Sequence, residues 1–87
     1  MSARPLPQVL LYTRPGCHLC EEALDGLLAL RSAGRPFDLH EVDIESDEAL
    51  NRRLLERIPV IEVGGVVACE LVFDADAVIA RLATVEA

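Results

Sequence analysis

The order in which an apolar run, a turn and a helix follow one another between Gln8 and Ala33 constrains the fold more than any other stretch of this chain. Gln8 to Thr13 is almost continuously apolar and of strand length, the pattern of a strand buried on both faces. Arg14-Pro15-Gly16 breaks the run, and Pro and Gly are turn residues after which a helix can start at once. From Cys17 to about Ala33 the periodicity is helical, with Leu19, Ala23, Leu24, Leu27, Leu28 and Leu30 on one apolar face. Glu21, Glu22 and Asp25 lie near the start and Arg31 near the end, as the helix dipole favours, and Gly34 follows as a C′ residue.

The rest of the chain continues in the same alternation. A strand is predicted from about Phe37 to Ile44. Its alternation is imperfect, since Phe37 and Leu39 share one parity and Val42 and Ile44 the other, which predicts an irregular strand at a sheet edge. Ser46-Asp47-Glu48 offers a cap and acidic first turn for a second helix ending near Arg57, with Leu50, Leu54 and Ile58 on its buried line. Pro59 opens a strand, Val60 to Val63. Gly64-Gly65 is a two-residue hairpin signal, and a strand returns from Val66 to about Leu71. Asp74 caps a last helix with Val78, Ile79, Leu82 and Val85 inward. The order is β-α-β-α-β-β-α: an α/β fold with a mixed four-stranded sheet flanked by helices. Its first half is a right-handed parallel βαβ unit and its second an antiparallel hairpin. Residues 1–87 read as a single domain, with 1–7, which contain Pro5 and Pro7, as an extended lead-in.

The site with chemistry is Cys17-His18-Leu19-Cys20. The spacing alone is a weak signal, but here it falls where a buried strand hands over to a helix inside a βαβ unit. A thiolate is the attacking species in disulfide exchange, and a free cysteine, with a pKa near 8.5, is mostly protonated at neutral pH. At a helix N-terminus, unpartnered backbone N–H groups and the dipole favour a negative sulfur by up to about 2 kcal/mol. His18, when protonated, adds to that. Cys20 lies one turn along, with roughly 5–6 Å between the two Cβ atoms. Cys17 is therefore the expected nucleophile and Cys20 the expected resolving thiol. Two other readings stand beside this one: a metal or iron–sulfur module held through these thiols, and a redox-inert interaction scaffold. Zinc would normally require four ligands, and the other candidates, His18, His40 and Cys69, are scattered.

Charge and hydropathy narrow the partners. The formal net charge is −7 and all 8 cationic residues are Arg. No basic stripe of the kind that binds nucleic acid is present, and acidity disfavours anionic membranes. No apolar run approaches the roughly 20 residues of a membrane span. Cytoplasmic location is the expectation, and in a reducing compartment three cysteines suggest redox or metal chemistry rather than a structural framework. Cys69, in an apolar strand, reads as a core residue, His40 as a surface strand residue, and Arg52, Arg53 and Arg57 as a solvated helix face.

From about Val9 to Leu82 the chain resembles the glutaredoxin branch of the thioredoxin superfamily, especially its small bacterial glutaredoxin-like proteins. The resemblance is carried by Tyr12-Thr13-Arg14-Pro15-Gly16-Cys17-His18-Leu19-Cys20, Glu41-Val42-Asp43-Ile44, Arg57-Ile58-Pro59-Val60 and Gly64-Gly65. It implies a thioredoxin-like fold and thiol–disulfide exchange at Cys17 and Cys20 in cell redox homeostasis. It implies that Arg14 meets a glutathione carboxylate. It also implies that Pro59 follows a cis bond, and that Ile58 offers its backbone N–H and C=O to an extended substrate. No tightly bound cofactor is implied; glutathione is the candidate co-substrate. Partners would be protein or small disulfides on one side and glutathione or a reductase on the other. The chain departs from the family pattern in the His-Leu motif interior, where Pro-Tyr is common. It departs again at Ala68-Cys69-Glu70-Leu71, where Gly-Gly-Cys-Asp or similar is usual, with Asp74 coming later. No Trp precedes the motif, unlike typical thioredoxins. These departures predict weak use of glutathione.

Overall fold

The computed structural model describes residues 5–86. Of the predicted lead-in, residues 1–4 therefore lie outside the described residues. The elements are β1 (Gln8–Thr13), α1 (His18–Ser32), β2 (Asp38–Asp43), a single 3-10 turn (Ile44–Ser46), α2 (Glu48–Leu54), β3 (Val60–Val63), β4 (Val66–Glu70) and α3 (Ala75–Glu86). The sheet order is β2-β1-β3-β4. β1 runs parallel to β2 and antiparallel to β3, and β3 pairs antiparallel with β4. This is the mixed four-stranded α/β sheet expected from the run lengths.

Alternation along the central strands divides the core in two. Val9 and Leu11 of β1, with Ile61 and Val63 of β3, face Ala23 and Leu27 of α1 and Val78 and Leu82 of α3, and Phe37 closes the same cluster. The opposite parity, Tyr12 and Val60, faces a second cluster of Cys20, Ile44, Leu54 and Ile58, against which Cys17 and Leu50 pack. The end of the sheet that carries the cysteines is thus the end where the smaller core sits.

Several elements end or turn differently from expectation, each for a local reason. β2 is an edge strand as predicted, but its pairing with β1 is unbroken from Gln8↔Asp38 to Thr13↔Asp43. Phe37 precedes the strand and Ile44 belongs to the 3-10 turn after it, while Leu39 and Val42, of opposite parity within the strand, are each half-buried. The irregularity lies instead between β3 and β4: Ile61 pairs with Cys69 and Glu62 with Val67, which leaves Ala68 as the extra residue of a bulge. α2 stops at Leu54, because the Leu54 carbonyl accepts from both Arg57 N–H (2.8 Å) and Ile58 N–H (3.0 Å) and closes a tight turn. On α1 the buried stripe is Cys20, Ala23 and Leu27, while Leu19 and Leu28 are 48% and 37% exposed. Val85, expected inward, is exposed near the end of α3, where it packs over Gly64.

Candidate active site

The turn that places the cysteines is built by Arg14-Pro15-Gly16-Cys17. Cys17 N–H donates to the Arg14 carbonyl at 3.3 Å, and Gly16 takes φ +78°, so the residue pattern is that of a type II turn, Pro second and Gly third. The chain then enters α1 with Cys17 as its N-cap, extended at φ −88° and ψ 104°. The N-cap is normally Ser, Thr, Asp or Asn, whose oxygen accepts an otherwise unpartnered N–H. Here sulfur takes that role: Cys17 Sγ accepts from Cys20 N–H at 3.2 Å. The helix is thus capped through sulfur.

Cys17 and Cys20 are bonded as a disulfide, with Cα atoms 5.2 Å apart. Cys17 is half-buried and Cys20 is 2% exposed, which gives the pair an accessible sulfur and a sheltered one. Ile58–Pro59 is cis, and Ile58 and Cys20 belong to one apolar cluster against which Cys17 packs, so the loop expected beside the motif is beside it.

The remaining predicted residues are placed less favourably for their expected roles. Arg14 Nη1 lies 3.9 Å from Glu45 Oε2, both side chains nearly half-exposed, so its charge is partly matched already. His18 is exposed and sits with Glu21 (3.8 Å) and Glu22 (3.3 Å); its described partners are carboxylates and not either sulfur. The Ile58 N–H, expected to meet substrate, is engaged by Leu54 O, so of its two backbone groups only the carbonyl is left out of the described hydrogen bonds. The Pro59 ring is fully buried.

Three features were not anticipated. Leu71 N–H donates to both Pro59 O (2.9 Å) and Arg57 O (3.1 Å), tying the loop after β4 to the Ile58–Pro59 loop. Arg57 is not a solvated face residue: its Nε donates to Glu70 Oε2 at 2.9 Å and its Nη2 to the same oxygen, and the carboxylate raises the guanidinium pKa further. Tyr12 packs against the same small cluster as Cys17, and its hydroxyl pKa is raised, first by burial and then by Glu62. The paired charges Arg57 and Glu70 were a readable signal in principle; nothing in the sequence around Leu71 marks it.

Cys69 is half-buried against the larger core, and burial raises its thiol pKa, with a backbone bond from Asp74 opposing that. Expected as a core residue, it packs against the core without being buried in it. Gln8 bridges β1 to β2 on the surface through His40 (2.9 Å) and Asp38 (3.0 Å), which accounts for His40. Among the described residues no group of three or more His, Cys, Asp or Glu side chains is arranged so that it could hold a metal ion. No helix among the described residues is long and apolar enough to cross a membrane.

Comparison with known proteins agrees with this fold. The model of a glutaredoxin-like domain, a domain family of undefined function, matches residues 8–83. The chain is similar to a Nitrosomonas europaea protein solved by solution NMR, at 29% identity and TM-score 0.76 over 92% of this chain and 95% of that one. It is also similar to an X. campestris protein solved by X-ray, at 28% identity and TM-score 0.67 over 87% and 96%. Thioredoxin O2 from Arabidopsis thaliana in the oxidised state, at 23% identity and TM-score 0.54 over 93% and 74%, shares the fold. A search of curated proteins finds no match.

Proposed function

The chain belongs to the glutaredoxin-like domain family, and from that premise we propose that it is a dithiol thiol–disulfide oxidoreductase with Cys17 as nucleophile and Cys20 as resolving thiol. The observation that carries this reading is the capping of α1 by Cys17 Sγ. A sulfur that already accepts a helical N–H sits where negative charge is favoured, so the reduced form is biased towards thiolate before any substrate arrives. Half-exposure of Cys17 and burial of Cys20 support the order of attack.

In the proposed reaction the Cys17 thiolate attacks one substrate sulfur. A Cys17–substrate bond forms, the substrate S–S bond breaks, and the other substrate sulfur leaves as a thiolate that takes up a proton. The Cys20 thiolate then attacks Cys17 Sγ, the intramolecular disulfide forms, and the second substrate sulfur leaves. Two electrons pass from the dithiol to the substrate, and an external thiol or a reductase restores the pair. Residues 1–87 are taken as one domain with this activity, and the cytoplasm as its setting. Partners are protein or small disulfides on one side and glutathione or a reductase on the other. Arg14 is the proposed contact for an anionic thiol. His18 contributes to thiolate bias only through its own charge, which Glu21 and Glu22 partly offset.

Glutathione is expected to be a poor donor. Arg14 faces Glu45, the Ile58 N–H is engaged by Leu54, Glu70 is tied to Arg57, and Asp74 Oδ1 accepts from Ala77 N–H at 3.1 Å as the cap of α3. Each charge-assisted bond the tripeptide fails to make costs roughly 1.5–3 kcal/mol, or about ten- to a hundredfold in affinity. Turnover of bis(2-hydroxyethyl) disulfide should therefore be sustained by dithiothreitol. With glutathione it should fall about ten- to a hundredfold below that of a standard glutaredoxin. Turnover equal to the standard would contradict the expectation about glutathione, and no turnover with either donor would contradict the oxidoreductase reading.

A further inference from the structure

Leu71 holds a backbone conformation that its side chain does not favour. Its φ is +72°, the left-handed region where Gly is comfortable and a Cβ is not, and it is the one non-Gly residue with positive φ among the described residues. The strain is fixed in place by its N–H, shared between the carbonyls of Pro59 and Arg57. Glycine or asparagine would keep those bonds at less conformational cost, so the fold itself gives no reason for a leucine here. Nor does burial, since Leu71 is 47% exposed and its neighbour Val72 is 67% exposed. A strained, exposed, apolar residue has its use outside the fold.

Its place suggests that use. The backbone of Leu71 is bonded directly to the cis Ile58–Pro59 loop, and Ile58 packs with Cys20 in the cluster that Cys17 closes. Leu71 is thus joined through one loop to the cluster against which Cys17 packs. The charged side chains here are already paired, Arg57 with Glu70 and Arg14 with Glu45, so beyond the Ile58 carbonyl the side-chain recognition capacity is apolar. The net charge of −7 repels a small anionic disulfide and tolerates a neutral or basic polypeptide.

We propose that Leu71, with Val72, is a specificity element for polypeptide disulfides: its side chain receives an apolar residue that flanks the reacting cysteine of the substrate chain. The inference rests on the oxidoreductase reading above and names the substrate class of that same site. Exchange proceeds as already written, the peptide disulfide being reduced to two thiols as Cys17 and Cys20 become bonded.

The test follows oxidation of the fully reduced protein by stopped flow with three probes. These are a disulfide-linked peptide dimer with Leu beside each Cys, the same dimer with Ser in place of Leu, and bis(2-hydroxyethyl) disulfide. Wild type should prefer the Leu peptide over the Ser peptide by about tenfold, within the range that one apolar contact supplies. Leu71→Gly and Leu71→Asn, both suited to positive φ, should reduce that preference to within about twofold through KM. The rate with bis(2-hydroxyethyl) disulfide should stay within about twofold of wild type. A preference that persists in both variants overturns the proposal, as does an equal fall with all three probes, which would make Leu71 merely structural. A wild type inert to every probe would overturn the oxidoreductase reading itself, and this inference with it.

Discussion

Replacing Cys17 by serine is expected to lower disulfide-exchange turnover by more than about a thousandfold. The hydroxyl left in place can still cap α1 as a hydrogen-bond acceptor, so folding should be little affected and the loss is chemical. Serine has no accessible anion at neutral pH without an adjacent base, and the described neighbours of this position are apolar groups of the smaller core. Cys20→Ser should separate the half-reactions: first attack on a small disulfide persists, while release of the second product is lost. Cys69→Ser should leave turnover near wild type, since that thiol packs on the larger core and burial disfavours its ionised form. Steady-state turnover of bis(2-hydroxyethyl) disulfide with dithiothreitol as donor checks all three. Substantial activity in Cys17→Ser would contradict the assignment of the nucleophile.

Leu27→Ala is expected to cost about 2–5 kcal/mol of folding free energy. Leu27 is fully buried where α1 meets β1, β3 and α3, and truncation leaves a cavity that four packed elements cannot readily close. Against the roughly 5–15 kcal/mol of a typical domain that is a large fraction, and at about 4–8 °C per kcal/mol it should lower Tm by more than about 8 °C. Leu19→Ala and Leu28→Ala provide the contrast. All three leucines occupy the apolar face drawn from the sequence, but Leu19 and Leu28 are 48% and 37% exposed and should cost less than about 1 kcal/mol. Equal losses at Leu19 and Leu27 would show that the buried stripe of α1 is misphased. Urea denaturation monitored by circular dichroism distinguishes the outcomes.

That contrast also marks where sequence reasoning loses resolution. The strand-turn-helix that seats the cysteines was legible because its signals are local: an apolar run of strand length, Pro15-Gly16, then a change of periodicity. The same holds for the hairpin at Gly64-Gly65, where both residues take positive φ. The phase of α1 was harder to read, since Leu and Ala recur at so many positions between Leu19 and Leu30 that several stripes fit, and only packing against the sheet selects Cys20, Ala23 and Leu27. The ends of β2 were blurred because Phe37 and Ile44 are buried without being in the strand.

At the site, the positions of Cys17 and Cys20 followed from spacing and context, whereas the competition for their neighbours did not. That the Leu54 carbonyl takes the Ile58 N–H depends on how tightly the turn after α2 closes. That Glu70 takes Arg57 depends on the bulge register of β4. The first joins residues four apart across the turn after α2, and the second joins residues 13 apart in the chain. Leu71 is the extreme case, because its conformation is set by two carbonyls more than ten residues away.

The central claim, that Cys17 attacks and Cys20 resolves, is tested most directly by trapping the intermediate. Reduced Cys20→Ser protein is mixed with a disulfide-linked peptide dimer at neutral pH, quenched with acid, digested, and mapped by mass spectrometry without reduction. The account predicts a stable adduct of one peptide on Cys17, formed at a rate close to that of the wild-type first step, with Cys69 unmodified. An adduct on Cys69, or none while Cys17→Ser protein forms one through Cys20, would contradict it.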